Sequence, residues 1–522
     1  MMSSNSEKMP KIGAFVLETL TTGMYTNSLD TLREYIQNSF DSIRESERSN
    51  KLTYGAGRID LTIDEKSRIL KLRDNGLGIP KNEVKSRLVN IGMSSKTIQH
   101  YAGFRGIGRL AGIAYCDRLI FTTQAKDENE FSRVVFNCRE LRNAMSPKLK
   151  QISELAEVIN EHASVTNEKT RNRGHFFEVL MEGINEAGQS FLDWKIIENY
   201  LSQIAPVGLD TQSFYHAGEI IQWLKKRNID VPTVSITINA GLMKRQVFKP
   251  YRKLTYTTAQ EKHKIHLKKI RFFPDDAGPD SPFWGWYAET NCPGTIGDER
   301  VAGIRLRKDN IGIGMAENMT KIFAEASESY ARLNKYFMGE IHIQDPNIIP
   351  NARRDGFEEG PEWLKVRQSL VEFAKERSRE AYHLSQARNL DIERLLGAAK
   401  REKESAQKRK KTGLASKEEK EKVLGKLDRQ IAKLEAAKKS DRDENERKQI
   451  DRTYKELQNT RQAIENETHY VAQNLNSALD KKQRKIISEI IGILYDVLDD
   501  GSFEKARAAI LAKYQIPNKK RE

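Results

Sequence analysis

An α+β fold followed by an all-helical region is what the sequence predicts, on three observations. Strand-like alternation and helical apolar stripes intermix from about residue 10 to 185, and the same mixture recurs between about 190 and 360. From Glu362 to Ile516 there is no proline, and charged residues dominate. The first two zones read as helices layered on sheets, the third as helices packed on one another. The expected segments are 10–188, 189–360, a basic coiled-coil hairpin over 361–480, and a helical cap over 481–522.

The first element is a helix through Glu34–Tyr35–Ile36–Gln37–Asn38–Ser39–Phe40–Asp41. Each helical residue advances about 100°, so Glu34, Asn38 and Asp41 share one stripe. Leu32, Ile36, Phe40 and Ile43 form a second stripe, roughly opposite. The apolar stripe can dock on a sheet while three oxygen-bearing side chains project into the space beyond. Next, Ile59, Leu61 and Ile63 alternate with polar residues, as do Leu70 and Leu72 after the polar turn Asp64–Ser67. Together they read as a β-hairpin. It delivers Asp74–Asn75–Gly76–Leu77–Gly78–Ile79 at a strand end, where two glycines permit a tight backbone path. An acceptor carboxylate beside such a turn is what reading the amino group of adenine requires.

Further on, Gly103–Phe104–Arg105–Gly106–Ile107–Gly108–Arg109 spaces glycines so that backbone N–H groups can close around phosphate oxygens. No Lys–Ser/Thr pair follows, so this is not a Walker A loop, and it does not open a βαβ unit as a dinucleotide fingerprint does. Taken singly, the three motifs are ordinary: a surface helix, an Asn-Gly turn and a glycine loop.

The second zone holds four of the five tryptophans and strand-like runs at Val234–Ile238 and Glu340–Ile343. In the third, Leu424, Leu427, Ile431 and Leu434 are spaced 3, 4 and 3, the a/d rhythm of a coiled coil. Ile450, Leu457, Ile464 and Val471 recur every seven residues, with a loop expected from Lys438 to Lys448. Two antiparallel helices are the expectation.

Composition narrows the class. The 522 residues carry a formal charge of +15, and Lys400–Lys448 alone holds 18 Lys/Arg against 11 Asp/Glu. That run is either a solvated helical surface or a phosphate-contacting one. Cys116, Cys138 and Cys292 are scattered and lack CxxC spacing, which excludes a disulfide framework or a structural zinc site and fits a reducing compartment. No signal peptide is recognisable. The longest apolar stretch, Ile486–Leu498, is interrupted by Glu489 and Asp496 and is too short for a bilayer. A cytoplasmic protein without membrane contact is expected.

Together, Glu-x-x-x-Asn-x-x-Asp, Asp-x-Gly-x-Gly and Gly-x-x-Gly-x-Gly, in that order within 75 residues, resemble the Bergerat nucleotide-binding fold of the GHKL superfamily (gyrase, heat-shock chaperone, histidine kinase, MutL). The resemblance implies a Bergerat-type α/β sandwich with a transducer-like second α/β domain, and ATP with Mg²⁺ as cofactors. By it, Asn38 binds Mg²⁺ and Glu34 polarises the attacking water. Asp74 accepts from the adenine amino group, and Gly78 lets the base approach the backbone within the Gly76–Gly78 turn. Gly103, Arg105, Gly106 and Gly108 belong to a phosphate-wrapping lid. Ser94, Ser95 and Lys96, in Ile91–Lys96, are similar to the lid entry of the chaperone and MORC branches, with Lys96 in reach of a phosphate. Glu34 also argues against the histidine-kinase branch, which places another residue there.

Ile349–Pro350–Asn351–Ala352–Arg353–Arg354–Asp355 resembles a chaperone-branch segment in which an Arg reaches the γ-phosphate. Arg354 is the candidate, with Arg353 the alternative and Asn351 ordering the loop. A pair of arginines salt-bridged to Asp355 and Glu358 is the plainer reading. Two features depart from the pattern. The family's Gly-Thr in its last nucleotide-domain strand is replaced by Gly174–His175–Phe176–Phe177, so either His175 substitutes for the hydroxyl or the strand lies elsewhere. Residues Pro147–Arg173 look like an insertion.

The function the resemblance implies is an ATP-hydrolysing, chaperone-like clamp whose homodimer closes on ATP. The alternative is a nucleic-acid-binding clamp of the MORC or MutL kind, acting through the basic coil. A setting in a bacterial defence module is compatible with it, but no residue marks one. A non-enzymatic adaptor is disfavoured by the intact Glu34, Asn38, Asp74 and lid glycines.

Overall fold

The computed structural model describes residues 13, 27–90, 108–144, 154–171, 174–261, 263–291, 294–414, 417–439, 444–466 and 481–514. The chain is α+β, with two mixed sheets and a helical C-terminal region. It divides into two compact units, Met1–Tyr256 with Ile265–Arg379, and Thr257–Lys264 with Glu380–Glu522.

In the first unit, helix α1 (Leu29–Arg48) turns its apolar stripe into the main core, where Leu32, Ile36, Phe40 and Ile43 are at most 2% exposed. At about 1.5–3 kcal/mol per buried side chain, this burial fixes the rotation of the helix about its axis. That rotation decides which polar residues face away from the core. The expected hairpin is β1 (Arg58–Asp64) and β2 (Ile69–Asp74), antiparallel from Ile59↔Asp74 to Asp64↔Ile69.

A 3₁₀ stretch over Gly108–Ala114 leads into β3 (Arg118–Gln124), β4 (Glu130–Asn137) and α2 (Cys138–Ala144). From residue 154 on, the segment expected as an insertion supplies α3 (Leu155–His162) and the edge strand β5 (Ala163–Lys169), paired antiparallel with β4. Strand β6 (Phe176–Glu182) follows directly on His175 and lies between β2 and β3.

Next come α4 (Trp194–Ile204), α5 (Ala217–Lys226), β7 (Ser235–Ala240) and β8 (Met243–Val247). Strand β7 runs parallel to β1 from Arg58↔Ser235 to Ile63↔Ala240, giving the order β5-β4-β3-β6-β2-β1-β7-β8. The first sheet therefore extends to residue 247, past the composition boundary at 188. Composition does not register this, because β1 needs a partner on its second edge wherever in the chain that partner lies.

The second sheet comprises β9 (Thr255–Thr257), β10 (Lys264–Phe273), β11 (Phe283–Thr290), β12 (Gly303–Lys308), β13 (Ile311–Gly312) and β14 (Met338–Ile343) in the order β13-β12-β14-β11-β10-β9, with α6 (Glu317–Ala326) inserted before β14. Inside it, the Glu340 carboxylate accepts from Arg307 Nε (2.7 Å) and also meets Lys249 and His342. Burial pushes the Lys249 amine down to about 7 and the His342 ring down to about 4.

Helix α7 (Pro361–Thr412) carries residues of both units. The second unit adds α8 (Lys417–Lys439), α9 (Glu444–Glu465), α10 (Lys481–Val497) and α11 (Asp500–Lys513). Leu427 and Leu434 of α8 share a core with Ile450, Leu457 and Ile464 of α9, as their spacing predicts, but Ala399 and Ala406 of α7 join them. The packing is thus of three helices rather than two, since small residues seven apart on α7 admit a third helix. Val471 lies outside the described residues. Helix α8 reaches Lys439 and α9 begins at Glu444, so the expected loop is shorter than Lys438–Lys448. Among the described residues, no helix is long and apolar enough to cross a membrane.

Candidate functional site

With the apolar stripe of α1 docked, Glu34 and Asn38 are half-buried, and Asp41 is buried on the same stripe. Two serines on the flank of that stripe join α1 to the end of β2. Ser39 Oγ donates to Asp74 Oδ2 (2.6 Å), and Ser42 Oγ accepts from the Leu77 N–H (2.9 Å). The Gly76 N–H donates to Asp74 Oδ1 (2.9 Å). Asp74 is 2% exposed, and burial pushes its carboxyl up to about 7 against the lowering effect of these donors and Arg73. The Phe177 N–H is a third donor to this carboxyl.

Gly78 has φ +67, and a Cβ there would lie 2.0 Å from the Gln124 carbonyl oxygen, so only glycine fits. The neighbouring Ile79 N–H donates to Thr123 Oγ1 (2.8 Å), and that hydroxyl donates to the Phe176 carbonyl (3.1 Å). His175 Nδ1 faces the Gly76 carbonyl. Since a carbonyl only accepts, Nδ1 carries the proton. The imidazole thus braces the Asp74–Gly78 turn from outside, while the hydroxyl beside the turn comes from Thr123 on β3.

Gly108 opens the 3₁₀ stretch directly against α1, and a Cβ there would lie 2.4 Å from Glu34 Oε2. Tyr35 OH secures the stretch by donating to the Arg109 carbonyl (3.1 Å) and accepting from the Gly112 N–H (3.1 Å). Ser95, Lys96, Gly103, Arg105 and Gly106 lie outside the described residues.

The loop after the second sheet reaches the same helix. Arg354 Nε donates to Glu34 Oε1 across 3.2 Å, and the two side chains are only 7% and 12% exposed. Asn351 shapes the loop, its side chain bonding to the Asp355 carboxylate (2.7 Å) and to the Asp355 N–H (3.2 Å). Arg354 thus meets the carboxylate of another element, and Arg353 offers its carbonyl to Arg33 Nη2 (2.8 Å).

The described residues contain no group of three or more His, Cys, Asp or Glu that could hold a metal ion. Asn38 makes no side-chain hydrogen bond to a described residue. An uncommitted amide oxygen beside Glu34 suits a hard cation that brings phosphate oxygens and waters as its other ligands, so these residues fit Mg²⁺. Ser39, Ser42, Tyr35 and Thr123 escaped the sequence reading. Ser39 and Ser42 carried a signal, because they sit three apart on the flank adjoining the Asn38 stripe. Thr123 carried none, since it reaches the turn only through strand pairing.

Residues 25–166 match the histidine kinase-, DNA gyrase B-, and HSP90-like ATPase family. The DNA mismatch repair protein MutL of Actinobacillus succinogenes is 33% identical over 118 residues, covering 21% of this chain and 18% of that protein. That of Shewanella oneidensis is 32% identical over 119 residues (21% and 18%), and that of Aeromonas salmonicida 28% over 117 residues (21% and 19%). The chain spans about a fifth of the length of the curated relatives it matches. With the family match at residues 25–166 spanning α1, the β1–β2 hairpin and the Gly108 stretch, the chain carries an ATPase domain of the GHKL superfamily, to which MutL also belongs.

Proposed function

We propose that this chain binds ATP with Mg²⁺ in the site around Glu34, Asn38 and Asp74, hydrolyses it, and uses the cycle to close and open a clamp. The observation that carries the reading is the meeting of Arg354 with Glu34 on the helix that bears Asn38. Asp74 and Gly78 take the adenine edge, and Asn38 supplies an oxygen to the metal. Mg²⁺, when bound, neutralises phosphate charge. Glu34 takes a proton from water as the water oxygen attacks the γ-phosphorus. The bond from that phosphorus to the β–γ bridging oxygen breaks, and ADP leaves. Arg354, paired with Glu34 in the structure, gains a second anion to bind when a γ-phosphate arrives. A guanidinium carried by a loop of the second sheet thereby senses the third phosphate.

Dimerisation, chaperone-like client binding and nucleic-acid binding are extensions of this reading. The relatives named as DNA mismatch repair proteins favour nucleic acid as the partner. The charge run on α7 and α8 weighs less than its +7 excess suggests. Lys403 pairs with Glu456 (2.8 Å), Lys438 with Asp451 (2.7 Å), Lys408 with Asp496 and Arg409 with Glu419. ATP turnover measured with and without DNA, RNA or an unfolded protein tests the proposal. Stimulation by DNA or RNA, with log affinity falling at about −0.9 per phosphate contact against log salt, identifies a nucleic-acid clamp. Stimulation by unfolded protein identifies a chaperone-like one, and absence of ATP turnover under every condition overturns hydrolysis.

A further inference from the structure

We propose that Tyr200, acting through Asp30 and Arg33, is a positioning residue that holds Arg354 against Glu34; this rests on the hydrolytic reading above. Helix α4 is clamped at its C-terminal end. Arg307, held by Glu340, donates from Nη2 to the Gln203 carbonyl (2.8 Å) and from Nη1 to the Ala205 carbonyl (3.4 Å). About one turn earlier, Tyr200 OH donates to Asp30 Oδ1 (2.7 Å) in the first turn of α1. The same carboxylate oxygen lies 3.4 Å from Arg33 Nη1, and Arg33 Nη2 donates to the Arg353 carbonyl (2.8 Å). The next residue is Arg354.

The Tyr200 and Arg33 ends of this path are buried, and the Asp30 side chain between them is 19% exposed. Tyr200 is 6% exposed and Arg33 is 4% exposed. Burial raises the phenol pKa, so the hydroxyl remains a neutral donor at physiological pH. Arg354 needs such support, because its φ of +56 is a left-handed conformation that is strained for a non-glycine residue. Its N–H donates to the Asn351 carbonyl (3.1 Å), and its carbonyl accepts from the Gly314 N–H (2.7 Å). These bonds hold the turn to itself and to its own sheet. Arg33 adds a bond from α1 to the residue beside Arg354, and Tyr200 fixes Asp30, which orients Arg33. The second sheet is thereby tied through α4 to the helix that carries the general base.

The test uses the full chain with Tyr200→Phe, which removes one hydroxyl and keeps the ring. Without nucleotide, amide exchange across 349–358 is expected to rise about tenfold, while β2 and β14 keep their protection. Unchanged exchange in that loop, or an equal loss across the whole unit, overturns the proposal. In turnover, kcat is expected to fall about five- to tenfold with KM within about twofold, and Tyr200→Phe adds nothing in an Arg354→Ala background. Independent, multiplying effects overturn it. A wild-type chain that binds ATP without turning it over removes the hydrolytic reading, and the exchange experiment then still decides the contact.

Discussion

The Arg354–Glu34 pair invites a double-mutant cycle of Arg354→Met, Glu34→Gln and the two combined, in the absence of nucleotide. At 3.2 Å and an effective dielectric of about 20, the gross attraction is about 5 kcal/mol. Both groups are nearly buried, so desolvation offsets a large part, leaving an expected coupling of about 2–3 kcal/mol. Arg354→Met alone strands a carboxylate and is expected to cost about 3 kcal/mol. Met keeps the left-handed backbone under the same strain, so that contribution cancels in the comparison. All five tryptophans lie in the first unit, so urea melts followed by tryptophan fluorescence report on the unit that contains the pair. Additivity within about 0.5 kcal/mol would refute the ion pair and with it the resting position of Arg354.

Asp74→Asn is expected to weaken ATP binding about 10–100-fold, the range of a lost hydrogen bond to a charged group, measured by calorimetry; unchanged affinity would remove Asp74 from the nucleotide site. The same carboxyl gives a pH signature. Its folded pKa of about 7 stands above the ordinary 3.8, so the folded chain keeps a proton that the unfolded chain releases. That stabilisation is complete below pH about 4 and is lost as pH rises through 7, by about 4 kcal/mol at most. The difference in melting midpoint between wild type and Asp74→Asn should follow that slope, and a flat difference would contradict the assignment. Gly108→Ala places a methyl group on the far end of the flexible Glu34 side chain, so the fold should persist. Turnover should fall at least about tenfold through the displaced carboxylate, with ATP affinity little changed; full activity would place Glu34 outside the reaction.

What the sequence revealed follows from the range over which its signals act. The helical stripe of Leu32, Ile36, Phe40 and Ile43 and the alternation of β1 and β2 are local, and each settles its own element. The seven-residue spacing of Ile450, Leu457 and Ile464 likewise identified a buried face on α9. Features that depend on distant partners escaped. The parallel pairing of β7 with β1 lies some 175 residues away in sequence, so no window over either strand registers it. His175 illustrates the same limit at the site. Its proximity to β6 was legible, but the hydroxyl beside the Asp74 turn comes from Thr123, brought there by the pairing of β3 with β6. The third helix of the C-terminal core was hidden because Ala399 and Ala406, though seven apart, carry too little apolar surface to mark a buried face, while small side chains suit close packing.

The most direct measurement is ATP binding and turnover by the full chain with Mg²⁺, compared with Glu34→Ala. The expected result is slow, metal-dependent turnover in the wild type and a Glu34→Ala chain that binds ATP as tightly but does not cleave it. A chain that binds no ATP, or a variant that turns it over at the wild-type rate, would contradict the role given to this site.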